Sequence, residues 1–251
     1  MKGMGDLRSE SVRIILKEDR SNLRGCTLIT GFHGVGMVGY ITTKHLVSEL
    51  KATRIGFIDT GNLPPYVCMH EDRLQTPFEI YRYDNIVLIL TEMPLNSKDF
   101  HSFSREVAKW SIEVGMEKAI LVGGLDARTR KNPEEKLRCV ATEQYIRKYG
   151  CDLNFLERNY YVIGPLALML SYYEMNDFPA IAVLSYSSVV NGPDPRAAAA
   201  AVEYISKKLN INVDTKLLLE EAEKLEKELM EISMKQIKAQ KAEEASGTFY
   251  V

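Results

Sequence analysis

Charge of one sign is what this chain lacks most. Lys and Arg number 32 against 34 Asp and Glu, a formal net charge of −2 over 251 residues. So even a balance leaves no long-range field with which to hold nucleic acid or an anionic membrane surface, and neither is expected as a partner. Long apolar runs are missing too. The longest, around residues 161–170, is broken by Gly164 and Pro165 and is far short of the roughly 20 residues a membrane-spanning helix needs. Residues 1–6 lead into polar sequence with no apolar stretch of the kind a secretory leader needs, so the expectation is a cytoplasmic chain. Cysteine is scarce: Cys26, Cys68, Cys139 and Cys151 are widely spaced and make no C-x-x-C pair. They read as small buried hydrophobes in a reducing compartment. The four histidines, His33, His45, His70 and His101, are scattered. Cys68-Met69-His70 is the one close Cys/His grouping, and it has no second pair to complete a tetrahedral site, so no metal is expected.

Catalytic signatures are equally thin. Ser185, Ser187 and Ser188 follow an apolar run, but no G-x-S-x-G elbow surrounds them. Asp59, Glu71, Asp72, Glu79, Glu92 and Asp126 lie near predicted strand ends, yet no spacing singles out two of them as an acid–base pair. No catalytic residue is assigned.

What the chain does have is a core. Hydrophobic residues make up 45% of it, enough for one large domain with an appendage. Residues 12–16, 26–30, 53–58, 86–90, 118–122, 160–163 and 180–185 read as strands, several as unbroken apolar runs of the kind found where helices cover both sheet faces. Gly123-Gly124 ends the fifth run and Gly164-Pro165 the sixth. Helices are predicted over 37–50, 99–114, 133–149, 166–175 and from Pro195 to Leu209. Phe103, Val107, Trp110 and Val114 share one face of the second. Asn132 and Pro133 form a start signal for the third, as Asp194 and Pro195 do for the last. Strands alternating with helices predict an α/β fold, a sandwich with a mostly parallel central sheet.

The composition changes after residue 210. Residues 1–210 are assigned to the α/β domain, 211–244 to a charged C-terminal helix and 245–251 to a flexible docking tail. Along the helix Leu218, Ala222, Leu225, Leu229 and Ile232, followed by Gln236 and Ala239, recur at four- and three-residue steps, a heptad seam suited to packing on another helix, either of a second subunit or of the chain's own body. The last three residues, Phe249-Tyr250-Val251, are a hydrophobic-Tyr-any tripeptide on a polar tether. Two adjacent exposed rings and a terminal carboxylate suit capture by a pocket on a partner protein. A tail folded back on its own body, or a frayed end, is the alternative.

Gly34-Val35-Gly36-Met37-Val38-Gly39 matches G-x-G-x-x-G between a predicted strand and a predicted helix, with Asp59 near the end of the next strand. That is the dinucleotide-binding fingerprint in its usual setting. Glycines are also required wherever a helix starts tightly against its strand, and no hydride-transfer acid or base follows downstream. No cofactor is therefore expected; the alternative is a nucleotide- or nucleoside-binding protein or enzyme that uses the Gly31–Gly39 turn, with Gly34, Gly36 and Gly39 as its cofactor-binding residues.

Four segments together resemble one family: the turn at residues 31–36, the strand end Val122-Gly123-Gly124, the helix opening Pro193-Asp194-Pro195-Arg196-Ala197-Ala198, and Asn212-Val213-Asp214 before an acidic helix. Their order and spacing resemble the archaeal branch of the proteasome-assembly chaperone family, of the second-subunit type, over nearly the whole chain. The resemblance implies a nucleoside-phosphorylase-like three-layer sandwich without catalytic activity, assembled as a homo-oligomeric ring, a tetramer or pentamer. It implies a protein ring such as the 20S proteasome α-ring as partner, with an oligomeric scaffold for a different protein partner as the alternative. It also implies roles for the tail: the Val251 carboxylate meets a pocket lysine, the Tyr250 ring and hydroxyl lock the peptide, and Phe249 fills an apolar slot. Read this way, the glycine turn is structural.

Overall fold

The computed structural model describes residues 12–70 and 72–228. Along the chain the strands are β1 (Arg13–Leu16), β2 (Thr27–Gly31), β3 (Thr53–Asp59), β4 (Cys68–His70), β5 (Arg73–Gln75), β6 (Phe78–Tyr83), β7 (Ile86–Thr91), β8 (Lys118–Asp126), β9 (Leu137–Ala141) and β10 (Ala180–Ser187). The helices are α1 (Val38–Glu49), α2 (Phe100–Glu113), α3 (Glu143–Tyr149), α4 (Gly164–Met175) and α5 (Pro195–Leu209), followed by α6 over 216–228.

Eight strands form one sheet in the order β1-β3-β6-β7-β2-β8-β10-β9. The four central neighbours β7, β2, β8 and β10 are parallel. Antiparallel pairings lie at the flanks, from β1 through β3 and β6 to β7 on one side and at β9 on the other. Because β3 is antiparallel to β6, and β6 to β7, β3 runs with the central four, so most strands point one way. This is the expected sandwich with a mostly parallel sheet.

Every residue of β2, β7 and β10 is buried, which is why these strands read as continuous apolar runs. Side chains of these strands and of β8 alternate between two cores. Leu28, Val87, Ile89, Leu121 and Ala182 face α2 and α4, where Phe103, Val107, Met169 and Tyr173 pack. Ile29, Leu88, Ile120 and Val183 face α1 and α5, where Val38, Leu46, Ala198, Val202 and Ile205 pack. The period of two along each strand thus builds three layers.

Several elements differ from their sequence signals. Residues 133–149 are not one helix. Asn132 caps only a single turn, its Oδ1 accepting from the Glu134 amide, while β9 adds to the sheet antiparallel to β10. The helix begins later, where Thr142 Oγ1 accepts from the Tyr145 amide. A capping signal that competes with a strand-length alternation lost here to sheet pairing. β8 does not stop at Gly123-Gly124 but continues to Asp126, held in register by β10. Residues 160–163 form no strand. They cross the surface as an irregular segment with Tyr161 and Ile163 exposed. β6 and the small β4–β5 hairpin add strands where the sequence predicts none.

α1 leaves β2 toward one face of the sheet, while α2, which follows β7, lies on the other. Where adjacent strands send their helices in opposite directions a crevice opens at the carboxyl ends of the strands. The glycine-rich turn sits there.

Candidate functional site

The crevice encloses about 460 Å³ and is lined by Phe32, His33, Val35, Gly124, Leu125 and Leu166 among others. Its rim carries Tyr161 and Ile163, which are 81% and 82% exposed, the most exposed large apolar side chains among the described residues.

The turn itself is built for packing. Gly36 has φ 63°, a left-handed conformation that favours glycine, and a Cβ there would strike the Ser187 side chain. A Cβ on Gly39 would run into the Val122 carbonyl and, at 2.6 Å, into the Phe32 amide nitrogen, because α1 lies directly against β2 and β8 at that point. A Cβ on Gly34 meets nothing within 4 Å. The turn's backbone is also engaged. The Gly36 carbonyl accepts from the Asp194 amide at 2.8 Å, and the Met37 amide donates to the Gly34 carbonyl at 2.9 Å. Asp194 in turn accepts from Ser187 Oγ at 2.8 Å and from the Ser188 and Ala197 amides. The loop before α5 and the glycine turn therefore brace one another. The motif's spacing reads as a phosphate cradle, yet two of its three glycines are explained by internal contacts.

Beside the turn, the His33 ring stacks on Tyr40 with centroids 4.3 Å apart. Burial pulls its pKa below the usual imidazole value, and its Nδ1 is buried with no partner among the described residues. Tyr40 belongs to a saturated polar cluster. Lys44 Nζ donates to Tyr40 Oη at 2.9 Å and to Glu92 Oε1 at 2.6 Å, and Tyr40 Oη donates to the same carboxylate at 3.0 Å. Burial alone would lower the Lys44 pKa, but its bonds to Glu92 and Tyr40 outweigh it and hold the ammonium above its ordinary value. Burial has the opposite effect on the Tyr40 phenol, raising its pKa. Lys44 stays protonated and paired, so this cluster offers no free base at neutral pH.

Three other carboxylates named above are individually engaged, Asp59 with Arg13, Glu79 with Arg54 and Arg73, and Asp126 with Arg128, while Glu71 lies outside the described residues. These three have no arginine partner in common.

Of the seam positions, Leu218 and Ala222 are turned onto the chain's own body, and Leu218 joins the core beneath α1 and α5. Leu225 is half-buried. Arg196 on α5 holds the same helix through a two-pronged bond to Glu226, at 2.8 and 3.0 Å. Leu229, Ile232 and the tail residues Phe249, Tyr250 and Val251 lie outside the described residues. The signal that the sequence reading passed over is the loop at 160–163, whose apolar residues looked like a strand and in fact stand in solvent at the crevice mouth.

The chain belongs to the PAC2 family, whose profile matches residues 28–233. Two uncharacterised proteins of Methanocaldococcus jannaschii are similar along their length. One is 23% identical over 215 residues, spanning 84% of this chain and 87% of its own. The other is 25% identical over 224 residues, 86% of each. Among solved structures, Pyrococcus furiosus PbaA, an archaeal homologue of proteasome-assembly chaperone, matches with a TM-score of 0.78 at 25% identity, covering 96% of this chain and 100% of PbaA. PbaB of the same organism, an archaeal proteasome activator, has the same fold, with a TM-score of 0.75 at 19% identity, covering 89% of this chain and 99% of PbaB.

Proposed function

We propose that this chain is a non-enzymatic proteasome-assembly chaperone or activator-like protein. It works as a homo-oligomeric ring, a tetramer or pentamer, that docks its Phe249-Tyr250-Val251 tails into a partner ring, the 20S proteasome α-ring first among candidates. The observation that carries this reading is the membership of the PAC2 family across residues 28–233, joined to the full-length likeness to PbaA. The engaged glycine turn and the saturated Lys44–Glu92 cluster favour a protein without catalytic activity. A single tripeptide buries little area and binds weakly. Several tails on one ring raise the effective concentration, and avidity can then exceed single-site affinity by on the order of 100- to 10,000-fold.

Surface plasmon resonance against archaeal 20S proteasome tests this directly, with the full chain beside one ending at Thr248. Binding that disappears with the tail is the expected outcome. Equal binding by both forms overturns the docking role of the tripeptide, and no binding by either removes the proteasome as partner. Sedimentation of the free protein measures the ring.

A second reading, a small ligand such as a nucleotide or nucleoside in the crevice, is favoured by one observation: His33 Nδ1, without a partner among the described residues, beside a cavity at the strand ends. A ligand at about 100 times its dissociation constant adds roughly 2.7 kcal/mol of stability. Melting curves that do not move with any nucleotide overturn it.

A further inference from the structure

Cys139 and Cys151 stand twelve residues apart in the chain, yet their Sγ atoms are 2.8 Å apart. The two are free thiols that share one acceptor, the Leu153 carbonyl, at 3.7 and 3.4 Å. Cys139 lies on β9, the last strand of the sheet, and is fully buried. Cys151 follows the Gly150 cap of α3 and is half-buried. Between them the chain doubles back. The Cys139 amide donates to the Asn154 carbonyl at 2.9 Å, and the Cys139 carbonyl accepts from the Leu156 amide at 2.8 Å. The segment 151–156 is thus a strap laid along the outer edge of β9, where an uncovered strand would otherwise offer its amides to another chain.

We propose that Cys139 and Cys151 form a reversible intramolecular disulfide that locks this strap to the edge strand. The oxidant is a low-molecular-weight disulfide. Cys151, the sulfur nearer solvent, attacks one of its sulfurs as a thiolate. A mixed disulfide forms and one small thiolate leaves. Cys139 then gives up its proton and attacks the Cys151 sulfur, expelling the second small thiolate and closing the protein bond at about 2.05 Å. Two protein thiols are oxidised, one small disulfide is reduced to two thiols, and the two protein protons end on those thiols. Burial pushes the Cys139 thiol pKa up, which makes it the poorer first nucleophile and gives Cys151 that role. Cys26 and Cys68 serve as internal references, their sulfurs lying against the Asn22 carbonyl and Gln75 Oε1 respectively.

The test uses the full chain incubated with oxidised glutathione or with dithiothreitol, then unfolded, alkylated and digested. The expected result after oxidation is an intact chain about 2 Da lighter than the reduced one before alkylation, then alkylation at Cys26 and Cys68 alone and a peptide cross-linked between Cys139 and Cys151. Reduction is expected to lower Tm by roughly 5–10 °C, and Cys151→Ser to abolish that dependence. Alkylation of all four cysteines, or glutathione left attached at Cys151, overturns the disulfide. A cross-linked peptide with a Tm indifferent to reductant overturns the locking role.

Discussion

Nε2 of His45, on α1, lies 2.6 Å from the Asp214 carbonyl oxygen, 169 residues further along the chain. The carbonyl has no proton, so the imidazole donates from Nε2. This bond fastens the segment between α5 and α6 to the body just before Leu218 enters the core. The His45 side chain and the Asp214 backbone, from distant parts of the sequence, therefore meet where the C-terminal helix starts, and Asp214 Oδ1 accepts from the Lys216 amide there.

His45→Ala removes the donor and leaves the Asp214 carbonyl to find water. The expected cost is about 1–2 kcal/mol, from the lost bond and the small void. Hydrogen exchange is the more telling measurement. Amides over 216–228 should exchange several-fold faster in the variant, while those of β2, β7 and β10 keep their protection. Equal acceleration everywhere would mean that His45 supports the whole domain and not the helix junction.

The three glycines of the turn should respond very differently to a methyl group. Gly39→Ala drives a Cβ into the Val122 carbonyl, and Gly36→Ala combines a left-handed φ with a clash on Ser187. Each is expected to cost about 3 kcal/mol or more, or to prevent folding. Gly34→Ala meets open space and should change urea stability by less than about 0.5 kcal/mol. A motif kept for phosphate contact would instead leave Gly36 and Gly39 tolerant in the absence of ligand.

That contrast also shows what was legible in the sequence. The strand–turn–helix register around Gly31–Gly39 was readable, because a buried strand and a glycine-opened helix leave strong local marks. The use of those glycines was not, since their neighbours Ser187 and Val122 come from other strands. The same division holds elsewhere. Asp194 was recognisable as a cap from its own neighbourhood, and it also holds Ser187 and Ser188, which only the fold brings to it. Residues 137–141 fall inside the helix that the Asn132–Pro133 start signal predicts, and only pairing with β10 makes them a strand. The heptad pattern of Leu218 and Ala222 marked a packing face without saying that the chain's own body covers it. Cys139 and Cys151 looked isolated because their contact depends on a strap reversing beside β9.

Glu79 makes acid sensitivity predictable. Its side chain is 1% exposed and accepts from Tyr81 Oη at 2.6 Å, Arg54 at 2.7 Å, the Thr76 amide at 2.9 Å and Arg73 at 3.1 Å. Burial alone would raise its pKa, but these donors together outweigh burial and depress it. The unfolded chain consequently takes up this proton first as pH falls. The stability from Glu79 is fully present above the unfolded carboxylate range, around pH 4.3, and is lost as pH drops through the depressed folded value. Glu79→Gln should be destabilised at neutral pH by about 3 kcal/mol, since Arg54 and Arg73 lose their counter-charge. Its stability should also fall less steeply below pH 5 than that of the parent chain. Parallel pH profiles for the two would remove Glu79 as the source of acid sensitivity.

Leu218 and the terminal tripeptide separate the fold from the proposed docking. Leu218→Ala empties a buried site between α6 and the α1–α5 layer and should cost about 2–4 kcal/mol. The loss should appear first as faster exchange and easier proteolysis over 216–228, because Arg196–Glu226 is an exposed pair worth little on its own. Ending the chain at Thr248 should leave Tm and sedimentation unchanged while removing partner binding. If the helix projects the tails, Leu218→Ala also weakens binding, with the tripeptide intact, by loosening the platform from which the tails depart. If the tails act as independent peptides, the variant binds as tightly as the parent and only the truncation matters. Affinities of these two proteins and their double variant for the same proteasome surface distinguish the cases. Equal affinity in parent and Leu218→Ala would rule out any role for the helix in presenting the tails.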